Sequence, residues 1–275
     1  MIGGGLVSIK TVEALLARRV EVLLVVSSKR LLSQITAPED SKITLNMFRT
    51  PGLHIRLNCD VEEIEGYERV EGVRLSTGEV FDCDMVVVGK GVTPNVSCIR
   101  DTEIQQGTGI LVSDMMETSV RSIYAAGDIA EGYDIARGRP WVNALWSSAV
   151  WQGRIAGYNM AGRRIAYLGD VALNSVSFGE KCLITLGKTR PENGDEVVTF
   201  SDECRQEYRR LVFSDGRLVG AVISGPSAEA SGVLRSLMAR KENTDTIRDT
   251  LLGAKVSYGN IVQAGTRLPH SDGLL

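Results

Sequence analysis

The spacing of apolar residues near the amino terminus predicts a helix followed by a buried strand. Within residues 7–19, the apolar side chains of Val12, Leu15 and Leu16 recur at the spacing of one helix face. Residues 20–26 then form a nearly continuous apolar run, which is typical of a parallel strand covered on both faces. Together the two elements indicate the later part of a βαβ unit.

The first strand of that unit is short in this sequence. Only Met1 and Ile2 precede the glycine cluster Gly3-Gly4-Gly5, whereas an ordinary strand has about five or six residues. We therefore expect the fold to begin in the middle of a strand, as in an N-terminally truncated chain.

The rest of the first segment reads as a further helix and a series of short strands. The predicted elements are a helix at 31–47, strands at 53–57, 60–65, 71–75 and 79–81, and a buried strand at 85–88. Turn residues between the middle strands favour a β-meander.

The later segments are predicted from the same kinds of pattern. Residues 95–164 predict a strand at 122–126 and a helix at 143–160. Residues 165–252 predict antiparallel strands at 182–186, 197–200, 208–213 and 218–223, then helices at 228–239 and 244–252. Asp215-Gly216 favours a tight hairpin, and residues 253–275 are expected to be an irregular tail.

Composition excludes several classes of protein. The 31 basic and 34 acidic residues give a net charge of −3, which argues against nucleic-acid binding by bulk charge. The apolar runs are shorter than the ~20 residues of a membrane helix. Five scattered cysteines without a C-x-x-C pair, and two histidines, predict no metal site. Scattered thiols favour a reducing, cytoplasmic location.

The glycine cluster carries the first candidate chemistry. Residues 3–8 match the fingerprint G-x-G-x-x-G, with Ser8 in the third glycine position. Such glycines let the backbone approach a pyrophosphate, and the following helix N-terminus stabilises its charge. A turn of this kind can also be purely structural, but its place between a strand and a helix favours coenzyme contacts. These are expected from Gly3, Gly4, Gly5, Leu6 and Val7.

The end of the second strand carries cations where a carboxylate is usual. An acidic residue about 20 residues after the fingerprint would hold the adenosine ribose, but Val26 occupies that place. Ser27, Lys29 and Arg30 follow it and suit a 2′-phosphate, hence NADP. Solvated surface charge is the alternative interpretation of the same residues.

A second candidate loop follows the predicted strand at 122–126. That strand ends in Gly127-Asp128 at its carboxyl edge, where open α/β sheets bind ligands. Asp128 can accept hydrogen bonds from a polyol. Alternatively, Asp128 forms a turn or caps a helix.

Four segments resemble the pyridine nucleotide-disulfide oxidoreductase family, a group of two-dinucleotide flavoproteins. They are the glycine turn at 3–7, the stretch at 87–95 with Gly89 and Gly91, the Gly-Asp segment at 118–128, and the helix at 145–162. Their order and spacing extend the resemblance over residues 1–163 and make it far more specific than any single motif.

The resemblance implies an α/β, Rossmann-like fold that lacks the first FAD segment. It implies an NAD(P)-binding domain at 1–94, the second half of an FAD-binding domain at 95–164, a C-terminal α+β interface domain at 165–252, and a tail at 253–275. The implied cofactors are FAD and NAD(P)H. Gly89 and Gly91 are assigned to the coenzyme, and Gly127 and Asp128 to the FAD.

Within the family, the chain resembles the branch of rubredoxin reductases and nitrite reductase flavin modules. It lacks the His-Pro base of disulfide reductases and the C-x-x-C of thioredoxin reductases. The branch implies an oxidoreductase that passes electrons from NAD(P)H through flavin to an acceptor protein or partner subunit. It needs no acid or base from this chain, so we assign no catalytic residue.

Two other functions stay open at this point. Because only one glycine fingerprint is present, the chain could be a non-catalytic NAD(P)-binding module. It could also be a structural subunit that associates with a copy of itself or with a partner through the C-terminal domain. Ser8, Val26 and Lys10 depart from the family pattern and leave the choice between NADH and NADPH open.

Overall fold

The computed structural model describes residues 1–253 and 256–263 and divides into two compact units. Unit 1 comprises Met1–Val92 and Ser175–Leu183, and unit 2 comprises Thr93–Asn174 and the described residues from Ile184 onward. The secondary structure is mixed α/β, as predicted. The four-part division inferred from the resemblance stays a prediction.

Unit 1 contains a small parallel sheet and an antiparallel meander. Its elements are α1 (Leu6–Ala17), β1 (Val22–Val26), α2 (Ser41–Met47), β2 (Leu53–Leu57), β3 (Val61–Glu65), β4 (Gly72–Leu75) and β5 (Val80–Asp82). The parallel strands β1 and β2 pair over five residues, and β3, β4 and β5 pair in sequence order. Ile2 adds a single parallel bridge to Val25 on one side and to Val88 on the other. Ile2 therefore occupies the strand position directly before the glycine cluster.

Unit 2 begins with short strands and one long helix. These are β6 (Ile110–Leu111), β7 (Ala130–Asp134), β8 (Arg139–Trp141) and α3 (Trp146–Met160). The buried face of α3 packs on a small core that includes Met116, Ile155 and Tyr167.

A five-stranded sheet follows, in the order β11-β12-β13-β10-β9, and its β11–β12 and β12–β13 pairs are antiparallel. The strands are β9 (Leu173–Phe178), β10 (Lys181–Gly187), β11 (Glu196–Asp202), β12 (Glu207–Ser214) and β13 (Arg217–Ser224), and the helices after them are α4 (Ser231–Arg240), α5 (Arg248–Leu252) and α6 (Tyr258–Gln263). Asp215 and Gly216 form the predicted hairpin turn, with φ of 49° and 70°.

The predicted helix at 31–47 is wrong over its first ten residues. The structure has turns there, then a short 3₁₀ turn at Pro38–Asp40, and α2 begins only at Ser41. A proline disfavours helical backbone at the residue before it, and Leu32 adopts a left-handed φ of 52°. Both features prevent a continuous helix.

The two predicted strands at 85–88 and 122–126 each reduce to one isolated bridge. Met85 and Val88 are 53% and 62% exposed, because the only bridge that this segment forms within the described residues is to Ile2. In the later segment, only Tyr124 pairs, with Glu117, and Ser122 has a left-handed φ of 66°. Apolar runs indicate strand propensity, but a strand also needs a partner of matching length.

The structure also contains elements that the sequence pattern did not predict. β7 and β8 lie in a segment rich in glycine and arginine, and β9 is largely polar. In the expected tail, α6 forms because the fully buried Ile261 joins the core of unit 2. Residues 254–255 and 264–275 of that expected tail lie outside the described residues.

Candidate functional site

The three glycines form a tight turn between Ile2 and α1, which we call the glycine corner (Gly3–Gly5). The Gly3 N–H donates to the Val25 carbonyl at 2.8 Å, and the Gly89 N–H donates to the Ile2 carbonyl at 2.7 Å. These bonds hold the corner at the carboxyl end of the parallel strands. This is the strand-to-helix position that the fingerprint predicts.

Each glycine of the corner has a different reason to lack a side chain. Gly3 has a φ of +106°, and a Cβ there would lie 2.3 Å from the Gly89 carbonyl oxygen. A Cβ on Gly4 would lie 2.7 Å from Cγ1 of Val26. A Cβ on Gly5 would meet no atom within 4 Å. Gly3 and Gly4 therefore allow close packing, whereas Gly5 borders open space at the start of α1.

The first turn of α1 faces that open space with unneutralised backbone dipoles. Gly5 is the N-cap with an extended backbone, no side chain caps the helix, and its first turn contains no acidic residue. The first N–H groups of any helix lack intrahelical acceptors. Leu6 is half-buried and Val7 is exposed. The corner thus presents N–H donors and a positive helix end without a competing carboxylate, which suits an anion.

Ser8 replaces the third fingerprint glycine without loosening the packing. It is fully buried, and its hydroxyl donates to the Gly89 carbonyl at 3.0 Å. A Cβ on Gly89 would lie 2.5 Å from the Ser8 oxygen. The absence of a side chain at Gly89 therefore makes room for the serine.

Gly89 lies against the glycine corner, and Gly91 follows two residues later, where a Cβ would lie 3.5 Å from Nε2 of Gln34. Gly89 packs on Gly3 and Ser8 as described, and Gly91 has a φ of +95°. The structure thus brings Gly89 together with the fingerprint, and the assignment of Gly89 and Gly91 to the coenzyme stays a prediction.

The cations at the end of β1 have separate environments. Ser27 and Lys29 are exposed. Arg30 is half-buried, and its guanidinium donates to the carbonyls of Ser33 and Thr36 at 3.3 and 3.4 Å. Arg30 therefore supports the loop after β1, which leaves Lys29 as the more available of the two predicted phosphate ligands.

In unit 2, the Gly127–Asp128 loop is a turn that leads into β7. Gly127 has a φ of +83°, and its N–H donates to Oε1 of Gln152 at 2.9 Å. The Ala130 N–H donates to the Gly127 carbonyl at 2.9 Å and closes the turn. Asp128 is exposed, and no helix starts beside it, so the helix-cap alternative does not apply. Its carboxylate faces solvent and is available to accept hydrogen bonds.

Behind this loop lies a buried polar pair that the sequence analysis missed. Gln152 is 1% exposed on α3, and Tyr167 is 2% exposed. A Cβ on Gly132 would lie 3.3 Å from both side chains, so this glycine makes room for them. Burial raises the pKa of the Tyr167 phenol to about 12. The sequence signal for Gln152 was a polar residue on the apolar face of a predicted helix.

Residues 1–153 match the family of pyridine nucleotide-disulphide oxidoreductases, which is more than half of the 275-residue chain. The chain belongs to this family. The resemblance inferred from the four motifs is therefore confirmed.

Curated relatives extend the likeness over nearly the whole chain. The NADH-dependent phenylglyoxylate dehydrogenase subunit epsilon of Aromatoleum evansii is 28% identical over 97% of this chain and 63% of its own length. The nitrite reductase [NAD(P)H] of Bacillus subtilis is 26% identical over 92% of this chain and 31% of its own. A CoA-dependent NAD(P)H sulfur oxidoreductase of Pyrococcus furiosus is 33% identical over 69% of this chain and 42% of its own. This chain thus spans about a third to two thirds of each relative.

Solved structures confirm the predicted fold. An FAD-dependent pyridine nucleotide-disulphide oxidoreductase from Desulfovibrio vulgaris matches with a TM-score of 0.81 and 21% identity, covering 96% of this chain and 69% of the other. Putidaredoxin reductase, in its covalent complex with putidaredoxin, matches with a TM-score of 0.83 and 20% identity, covering 96% and 62%. The names of the Aromatoleum evansii and Pyrococcus furiosus proteins describe oxidoreductases that use NADH or NAD(P)H. The Desulfovibrio vulgaris protein is named as FAD-dependent.

None of the helices in the described ranges has the length and apolarity needed to cross a membrane. Across the same part of the chain, no cluster of three or more His, Cys, Asp or Glu side chains is placed to hold a metal ion.

Proposed function

We propose that this chain is the coenzyme-binding part of an FAD-dependent oxidoreductase that passes electrons from NAD(P)H through flavin to an acceptor protein or partner subunit. The observation that carries the proposal is the glycine corner, where open space, helix N–H donors that no side chain caps and a positive helix end coincide. The membership of the family supports the same assignment.

The residues of the corner fit a dinucleotide pyrophosphate. Gly3 and Gly4 let the backbone of the corner pack closely on its neighbours, because any side chain would collide with Gly89 or Val26. Gly5, Leu6 and Val7 then offer their N–H groups to the phosphate oxygens, and α1 stabilises the negative charge. Gly89 and Gly91 shape the neighbouring wall. These residues bind and orient the coenzyme and transfer no proton.

Gly127 and Asp128 are the residues that we assign to the flavin. Asp128 is free to accept a hydrogen bond from a sugar hydroxyl, and Gln152 fixes the backbone immediately before it. FAD, when bound, supplies the hydride-accepting ring, while the protein contributes orientation and electrostatics.

The choice of coenzyme depends on the end of β1. Ser27 and Lys29 are exposed there and suit a 2′-phosphate, whereas Arg30 is bonded to its own loop. No carboxylate stands at Val26 to bind a ribose hydroxyl. We propose that any preference for NADPH over NADH comes from Lys29. Lys29→Ala should then bring the affinity for NADPH closer to the affinity for NADH.

A protein acceptor is supported by the names of two relatives. One is the assimilatory nitrate reductase electron transfer subunit of Bacillus subtilis, 22% identical over 88% of this chain and 31% of its own length. The other is putidaredoxin reductase, whose structure contains a protein partner. A cytoplasmic location and association through the C-terminal domain stay predictions.

The test is a calorimetric titration of the purified chain with NADH and NADPH. Gly5→Glu puts a carboxylate into open space at the anion site, so we expect at least a tenfold rise in Kd, on the order of the loss of one charge-assisted contact. Gly153→Glu is the matched control, because a Cβ at Gly153 also meets no atom within 4 Å. Equal affinities for both variants, or no coenzyme binding by the wild type, would contradict the proposal.

A second candidate function is the NAD(P)-binding module without flavin chemistry. It needs only the one glycine fingerprint that this sequence contains. Adding FAD to the chain and then NADH separates the two functions. Retained yellow absorbance that NADH bleaches supports the oxidoreductase, whereas coenzyme binding without retained flavin supports the module.

A further inference from the structure

Lys90 places a cation beside the glycine corner that neither the fingerprint nor the strand end accounts for. It lies between Gly89 and Gly91, and its backbone nitrogen is 3.2 Å from the position that a Cβ on Gly3 would occupy. Its side chain is 49% exposed. Lys90 is thus adjacent to the proposed pyrophosphate site and open to solvent.

Among the residues that the structure describes, the Lys90 ammonium is bound to one carboxylate, that of Asp60. Nζ of Lys90 lies 2.6 Å from Oδ2 of Asp60, and this pair lowers the pKa of the Asp60 carboxyl. Asp60 is itself fixed, because its Oδ1 accepts the Val61 N–H at 2.9 Å and its own N–H donates to the Ser76 hydroxyl at 3.0 Å. The carboxylate is therefore the anchored partner, and the long lysine side chain is the one that can move.

The fold does not depend on this ion pair. Gly89 is already held by its hydrogen bonds to Ile2 and Ser8. Asp60 is 37% exposed, and exposed pairs of this kind contribute little to stability, typically about 0–1 kcal/mol. The pyrophosphate of a dinucleotide carries two negative charges, one more than the Asp60 carboxylate, and can compete for the lysine at little structural cost.

We propose that Lys90 is a coenzyme-binding residue that contacts a phosphate of the dinucleotide, and that Asp60 holds and competes for its ammonium in the free protein. This inference rests on the proposed function and adds a ligand to the same site. In the free state, the Asp60 carboxylate occupies the ammonium. On binding, the ammonium turns from the carboxylate to the phosphate, and the Asp60 carboxylate becomes solvated.

Two substitutions that break the same ion pair have opposite expected effects. Lys90→Gln removes the phosphate ligand and should raise the Kd for NADH about tenfold, as for one charge-assisted contact. Asp60→Asn keeps an acceptor oxygen for Val61 but releases the ammonium, and should lower the Kd about threefold, as expected for a weak exposed pair. A purely structural ion pair would make both variants bind more weakly.

The measurement is calorimetry with NADH at several salt concentrations, and with adenosine as a probe that lacks phosphate. Lys90→Gln should flatten the dependence of Kd on salt, and neither variant should change the affinity for adenosine. Arg18→Gln is the control, because it removes the same charge at the opposite end of α1. Thermal melting of every variant checks that each one folds.

The outcomes separate this inference from the proposed function. Opposite changes in Kd support the inference. Coenzyme binding with changes of the same sign, or with no change, contradicts the role of Lys90 and leaves the proposed function standing. Failure of the wild type to bind NADH or NADPH contradicts both.

Discussion

The glycine corner and the Gly127–Asp128 loop are both built on a glycine with positive φ, yet they are held by different means. Backbone packing fixes the corner, since a Cβ on Gly3 would collide with the Gly89 carbonyl. The Gly127–Asp128 loop is fixed by one buried side-chain amide, that of Gln152, beside a buried phenol. The stability of the glycine corner should therefore be sensitive to added volume. The stability of the Gly127–Asp128 loop should be sensitive to changes in its buried polar groups.

The largest effect is expected from added volume at the corner. Gly3→Ala introduces an overlap with Gly89 and strain from a φ of +106°, so it should lower the free energy of unfolding by about 3 kcal/mol. Gly5→Ala, two residues away in open space, should stay within about 0.5 kcal/mol of the wild type. Denaturant unfolding measures both values. Similar losses in the two variants would mean that packing does not hold the corner.

High pH should act on the support of the Gly127–Asp128 loop through Tyr167. Burial raises the pKa of this phenol to about 12 from an ordinary value of 10. The unfolded chain therefore loses the proton first, and stability falls as the pH rises from about 10 to 12, by about 2 kcal/mol for this group. Tyr167→Phe keeps the buried ring and removes the ionisable hydroxyl, so it should remove this loss.

Tyr67→Phe is the control for that experiment. Tyr67 is 97% exposed, so its replacement should leave the alkaline loss of stability in place. Unfolding curves at pH 9, 10, 11 and 12 give the comparison. If both variants keep the same pH dependence, then Tyr167 does not cause it.

A smaller effect is expected from Gln152→Leu. The substitution leaves the Gly127 N–H without its acceptor and should lower the free energy of unfolding by about 1–2 kcal/mol. It should also speed hydrogen exchange at the Gly127 amide, which NMR detects directly. Gln106→Leu makes the same chemical change at an exposed position and should do neither. An unchanged exchange rate at Gly127 in Gln152→Leu would remove Gln152 from the support of the loop.

The sequence predicted best those elements whose cause is local. β2 has the predicted bounds, since its alternating apolar residues directly follow the Pro51-Gly52 turn, and Asp215-Gly216 forms the predicted hairpin. The prediction of strands was wrong at residues 85–88 and 122–126. The apolar pattern is present there, but long-range pairing within the described residues is limited to single bridges. Propensity can be taken from a window of sequence, whereas the length of a pairing partner cannot.

The candidate site shows the same limit. The glycine corner was predicted because its residues are consecutive and its role is a backbone one. The bond from Ser8 to Gly89 joins residues 81 positions apart, and the Lys90–Asp60 pair spans 30. Lys10 was noted only as a departure from the family, yet its ammonium donates to the Ser177 carbonyl at 3.1 Å, 167 positions away. No spacing rule connects such pairs.

That last contact belongs to the end of the β9–β10 hairpin, Ser175–Leu183, which is part of unit 1. There Phe178 stacks edge-on against Phe48 with ring centroids 5.1 Å apart, and the Gly179 N–H donates to Glu13. A fragment that ends near residue 94 would lack Phe178 and would therefore expose Phe48, which is fully buried in the intact chain. We expect such a fragment to precipitate, and a graft of the nine hairpin residues to restore its solubility.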